Sequence, residues 1–163
     1  ASSALSMPIV SLMAGIVAGL VTLVAAPIGG IISDRVGRKP VALVSYLLIL
    51  ALIYPAFLYI NANPTIGALL SAVALLAALN AGGGATIIIT LAEIFPGEVR
   101  ATGMSLVYAL GVAIFGGFGQ FIVTWLIGLT GSPLAPAYYV MACALATILG
   151  LRAVPEMRGK ELV

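Results

Sequence analysis

The chain has 163 residues, 63% of them hydrophobic and 7% charged, with a mean hydropathy of +1.25 and a net charge of +2. A soluble domain carries about a quarter of its residues as charges, and a nucleic-acid surface needs a clustered basic block, so both are excluded as readings of this chain. Histidine is absent and Cys143 is the only cysteine, which leaves no zinc site, thiolate metal site or disulfide framework and implies no cofactor.

All twelve charged residues fall within 34–39, 93–100 and 152–161, separated by uncharged stretches at 1–33, 40–92 and 101–151. A charge at the bilayer centre costs roughly 2.5–3.5 kcal/mol, so a membrane-threading chain keeps its charges in the loops. A crossing needs about 20 residues. The first stretch therefore predicts one helix, near 7–30, with Gly15 and Gly19 spaced for a close helix crossing and Pro27 as a kink. The second is long enough for two helices, near 41–60 and 65–92, split by the turn-forming run Asn61-Ala62-Asn63-Pro64. Pro55 is a second expected kink, and Tyr54 and Tyr59 read as interfacial anchors. In the third helix Asn80 lies near mid-span and is followed by Gly82-Gly83-Gly84, a run expected either to bend or part-unwind the helix or to serve close packing against a missing first half of the protein. The last stretch gives helices near 102–129 and 135–154, split at Thr130-Gly131-Ser132-Pro133. Gln120, Tyr108 and Trp125 lie in the fourth helix; Tyr138 and Tyr139, which read as further interfacial anchors, and Cys143 lie in the fifth. No carboxylate falls within a span, so acid–base and nucleophilic constellations have no candidates and the chain is not expected to be an enzyme.

Five crossings put the three charged clusters on one face. The positive-inside rule then places Arg35, Arg38, Lys39, Arg100, Arg152, Arg158 and Lys160 in the cytoplasm, with Ala1 outside and the C-terminus inside. Nothing ahead of the first apolar run reads as a signal peptide, and the chain is expected to be cut from something longer.

The first cluster reads Gly30-Ile31-Ile32-Ser33-Asp34-Arg35-Val36-Gly37-Arg38-Lys39-Pro40. It resembles the G-x-x-x-D-R-x-G-R-K loop signature of the major facilitator superfamily. The second, Ala92-Glu93-Ile94-Phe95-Pro96-Gly97-Glu98-Val99-Arg100-Ala101-Thr102-Gly103, is similar to the A-E-x-F-P-x-x-x-R-x-T-G segment of its metabolite:proton symporter branch. Residues 113–118, 135–139 and 154–160 resemble the same branch. One departure is Gln120, where that branch often has a kinking proline. An amide there reads as a solute contact or, more commonly, as an interhelical hydrogen bond.

The resemblance implies an all-α membrane protein whose five helices match helices 8–12 of a twelve-helix fold. The chain would then be a partial C-terminal half lacking its opening helix, with the first, third and fourth helices facing a central cavity. Gly30, Asp34, Arg35, Gly37, Arg38, Lys39, Glu93 and Arg100 become the candidate cytoplasmic gate and loop motif; Asn80, Tyr108 and Gln120 become candidate cavity lining. Carried over from the family, Asp34 would face a helix N-terminus in the other half and Arg38 would pair with Glu93. The implied function is a share in proton-coupled uptake of a small organic acid or zwitterion, of the proline/betaine, dicarboxylate or citrate type, by alternating access in a bacterial inner membrane. The implied partners are the lipid bilayer, the N-terminal half, the solute and protons, and the proton-coupling residue would lie in that other half. The alternatives are a sugar-type facilitator, a non-transporting membrane protein that assembles with partner helices and, more weakly, a homo-oligomeric channel.

Overall fold

The computed structural model describes residues 2–153, with side chains from residue 8 onward, so the expectations for Ala1 and for the 154–160 tail, including Arg158 and Lys160, lie outside the described residues. Helices α1 (Ser2–Val36), α2 (Arg38–Ala62), α3 (Ile66–Ile94), α4 (Arg100–Gly111), α5 (Gly119–Thr130) and α6 (Ala135–Ala153) account for almost all of it, with a π-helical stretch at Val112–Gly117 joining α4 to α5. Among the described residues five helices are long and apolar enough to cross a membrane: Pro8–Val36, Arg38–Ala62, Ile66–Ile94, Arg100–Thr130 and Ala135–Ala153. This is an integral membrane protein.

The turns follow from their residues. Asn63 donates its backbone N–H to Tyr59 O at 3.0 Å and closes α2, and Thr65 Oγ1 accepts from Ala68 N at 3.2 Å as the N-cap of α3. Phe95, held extended ahead of Pro96, ends α3. Gly131, at φ 63°, returns its N–H to Ile127 O at 2.8 Å and ends α5 in a left-handed cap. Pro27 and Pro55 sit inside continuous helices.

α1 packs most extensively on α3, α2 packs on α3 and α6, and the fourth span touches the bundle mainly through α6. The buried positions are mostly small, Ala42, Ala68, Ala72, Ala81, Ala135, Ala137 and Ala144 among them, which lets helices approach closely in lipid. The closest approach is at Gly29 of α1. A Cβ built there would lie 2.5 Å from Gly82 Cα, so the two helices meet backbone to backbone. Gly15 and Gly19 meet nothing within 4 Å, so the crossing lies ten or more residues beyond the pair the sequence points to.

Two expectations need correction. Helix α3 runs unbroken through Gly82-Gly83-Gly84. An unwound segment in hydrocarbon would leave amides and carbonyls unmet, and here the glycines instead admit neighbours: Gly82 faces Gly29, and Gly83 is buried against Ser45 and Tyr46. Thr86, fully buried, donates its hydroxyl to Gly82 O at 2.9 Å, and Thr90 donates to Thr86 O at 2.8 Å, so the polar atoms are satisfied within the helix. Secondly, α1 does not stop near residue 30. It continues to Val36 through the loop signature, because nothing from Gly30 to Val36 breaks a helix, and only Gly37 separates it from α2.

Candidate functional site

Contacts distant in sequence bring the three charged clusters together at one end of the bundle. Arg38 Nη2 lies 3.1 Å and Nε 3.2 Å from Glu93 Oε1, joining the first cluster to the second. Lys39 Nζ donates to the backbone carbonyl of Arg152 at 3.1 Å, joining the first to the third. Within the second cluster Arg100 Nε donates to Phe95 O at 3.1 Å, turning the chain from α3 into α4.

Gly37 makes the arrangement possible. Its φ of 122° and ψ of 152° belong to a region that only glycine enters freely, and this one residue reverses the chain between α1 and α2. The reversal sets Arg38 beside the last turn of α1. Arg38 donates Nη1 to Ser33 Oγ at 2.9 Å and forms an ion pair with Asp34. Ser33, 1% exposed, passes its own hydroxyl hydrogen to Gly30 O at 2.7 Å. One guanidinium thus ties together the end of α1, the start of α2 and the end of α3. The side chains of Arg38 and Glu93 are 17% and 20% exposed, so the pair is shielded enough to outweigh an ordinary surface ion pair. Glu93 Oε2 is buried and has no hydrogen-bond partner among the described residues.

Asp34 remains 61% exposed at its side chain, and Arg35 is exposed at the end of α1. Ser33 belongs to this cluster, although the sequence singled out only the charged and glycine positions around it. Its signal was its place inside the signature, one residue ahead of Asp34.

The candidate lining residues Asn80, Tyr108 and Gln120 stand on α3, α4 and α5 and are all exposed in this chain. No contact among the described residues joins them, and Gln120 makes no interhelical hydrogen bond there. Where the related branch often has a kinking proline, this chain has Gln120 in the first turn of α5, shortly after the π-helical stretch ends at Gly117. Tyr139, expected only as an interfacial anchor, donates its hydroxyl to Phe115 O in that stretch at 3.0 Å. Tyr54 and Tyr138 lie with ring centroids 6.1 Å apart, joining α2 to α6.

The family model described as sugar (and other) transporter matches residues 3–163. Over 123 residues, 76% of this chain and 28% of the relative, the chain is 38% identical to a citrate-proton symporter of Klebsiella pneumoniae. It is 36% identical over 137 residues to an ectoine/proline transporter of Corynebacterium glutamicum, covering 84% of the chain and 27% of the relative. A proline/betaine transporter of Salmonella typhimurium is 28% identical over 136 residues, 83% of the chain and 27% of the relative. The chain thus spans little more than a quarter of the length of these curated relatives. No solved structure matches it. With the loop signature and the five spans, a family match over nearly the whole chain settles its membership: it belongs to the sugar (and other) transporter family of the major facilitator superfamily.

Proposed function

We propose that this chain is the C-terminal part, helices 8–12, of a secondary active transporter that takes up a small organic acid or zwitterion together with protons. It contributes one wall of the solute pathway and half of the inner gate and is not an enzyme. The observation that carries the proposal is the Arg38 cluster, which fastens three helix ends on the face where the basic residues gather. The quoted relatives are named for citrate, ectoine, proline and betaine, which favours that solute class over sugars. The proposed setting is a bacterial inner membrane with the charged face and the C-terminus in the cytoplasm.

In this proposal the cluster holds the inner side closed. Asp34, largely exposed despite its pairing, meets a helix N-terminus of the other half, and a carboxylate there gains about 0.3–1 kcal/mol. Removing Arg38 deletes charged hydrogen bonds worth about 1.5–3 kcal/mol each. In this proposal the bonds form only while the inner side is closed, so a loss of that size resets a near-balanced two-state equilibrium by tenfold or more without unfolding the protein.

The test is uptake of radiolabelled citrate, proline and betaine by the full-length transporter in vesicles carrying an imposed proton gradient. Gradient-driven uptake of one of these solutes is expected, cut strongly by Arg38→Ala and by Glu93→Gln with near-normal insertion. Exchanging the charges, Arg38→Glu with Glu93→Arg, should recover little, because a carboxylate at position 38 would face Asp34. Absence of gradient-driven uptake of all three solutes, or parental transport in both single variants, would overturn the proposal.

A further inference from the structure

The π-helical stretch at Val112–Gly117 changes which residues of the fourth span share a face. In an α-helix each residue advances about 100°, and a turn closed by i→i+5 bonds holds one residue more than the α turn. Everything after such a turn is therefore set back by about one residue, or about 100°. The burial pattern agrees. In α4 the least exposed positions are Gly103, Met104 and Gly111, with Arg100 at its start; in α5 they are Gly119, Ile122, Val123 and Leu126. Counted straight through as α-helix, the two sets would point roughly 90° apart, whereas set back by one residue they coincide on the face turned to the bundle.

The same count sorts the exposed positions. Without the reset Tyr108 and Gln120 would be about 120° apart; with it they fall within about 20° of each other, and Ser105 and Thr124 join them on that flank. The opposite flank holds Leu106, Leu110, Phe118 and Trp125, all more than half exposed. Counted as an unbroken α-helix, the polar set would spread over about 160° and meet the apolar one where Thr124 shares the direction of Leu106, while the wider turn gathers the polar set within about 60° and sets it apart from the apolar flank.

Tyr139 of α6 reaches the wider turn with its hydroxyl. Passing from i→i+4 to i→i+5 bonding deprives a carbonyl of its usual amide partner, and in hydrocarbon no water replaces it. The Tyr139 hydroxyl is such a replacement, 3.0 Å from Phe115 O. Its ring lies over buried Gly119, where a Cβ would come 3.4 Å from the Tyr139 hydroxyl.

We propose that Tyr139 is a positioning residue: by donating to the Phe115 carbonyl it holds the π-helical turn, and the turn aligns Ser105, Tyr108, Gln120 and Thr124 as one uncharged polar flank facing the solute pathway. The flank suits a small polar solute that accepts or donates hydrogen bonds, such as a carboxylate. Trp125 then faces lipid. The pathway side rests on the proposed transport function; the register of the span does not.

The test uses the full-length transporter with Cys143→Ser and single cysteines at Tyr108, Gly119, Gln120, Ile122, Thr124 and Trp125, probed with a small impermeant methanethiosulfonate. Positions 108, 120 and 124 should react, and 119, 122 and 125 should be protected. In a Tyr139→Phe background reactivity at 120 and 124 should fall by about fivefold or more while 108 is unchanged. Reaction at 108 with 119 and 122 in place of 120 and 124 would show an unreset helix and overturn the alignment. An unchanged pattern in Tyr139→Phe would overturn the role of Tyr139 alone. Protection at all six positions would instead defeat the pathway reading and the flank's role with it. Deletion of Ile114 is the second variant: it removes the extra residue, so 108 and 120 should both stay reactive and Tyr139→Phe should lose its effect. Loss of reactivity at 120 alone in that deletion would also overturn the alignment.

Discussion

Substituting alanine at Gly29 and at Gly82 should have opposite consequences, although the two glycines face each other. A Cβ on Gly29 would sit 2.5 Å from Gly82 Cα and 3.1 Å from Gly82 O, both backbone atoms that no rotamer change can move. Carbon atoms rest at about 3.5–4.0 Å, so α1 and α3 would have to separate by roughly 1 Å along their most extensive interface. Overpacking of that kind costs about 1–3 kcal/mol, and a backbone clash belongs at the upper end. Alanine recovers about 0.8–1.0 kcal/mol through helix propensity, leaving a net loss of about 1–2 kcal/mol. On Gly82 the added Cβ would meet Gly29 Cα at 3.8 Å and Ser45 Oγ at 3.9 Å, ordinary contact distances. That variant keeps only the propensity gain. The two should differ by about 2 kcal/mol or more, a factor of about 30 in folding equilibrium. The assay is the fraction of full-length transporter in mild detergent that stays monodisperse after heating across a temperature series. Gly29→Ala should melt below the parent and Gly82→Ala at or above it. Equal melting of the two variants would refute the backbone-to-backbone crossing.

Gly37→Ala should lose about 1–3 kcal/mol in the same melting assay, because its φ of 122° and ψ of 152° are closed to side-chain-bearing residues; parental stability would mean that the reversal between α1 and α2 tolerates another conformation. Gly103→Ala would place its Cβ 2.6 Å from the Phe95 ring, a movable side chain, so the loss should be relieved by a second substitution, Phe95→Leu, and simple additivity would rule out that contact. For topology, single cysteines at Asn63 and Ser132 in a Cys143→Ser background should react with an impermeant thiol reagent from outside while one at Gly97 does not, and equal labelling of all three would sink the five-span arrangement.

The number of spans was legible because hydrocarbon penalises charge so heavily that twelve charged residues mark where water begins. Where each helix ends was less legible, because the solvent boundary and the end of hydrogen bonding are set by different forces. Asp34 is at the water's edge and still helical, since Asp34 and Arg38 flank Gly37, which alone changes the backbone direction. The pairing of Arg38 with Glu93, 55 positions apart, came from the family resemblance rather than from composition or periodicity. The glycine run at 82–84 shows why propensity misleads in a membrane. Glycine costs a helix about 1 kcal/mol relative to alanine, enough to favour an open turn in water, but in lipid an open turn leaves amides and carbonyls without partners at a larger cost. There the absence of a side chain acts through packing, and Gly82 receives Gly29 while Gly83 lies beneath Tyr46. The π-helical turn was hidden for a related reason: one extra residue in a turn alters neither composition nor span length. Its trace was indirect, in Gln120 standing where relatives of this branch often have proline. A π-helical turn, like a proline, takes a carbonyl's usual amide partner away, and in the proposal made above the hydroxyl of Tyr139, 24 residues along the chain and 3.0 Å from Phe115 O, replaces it.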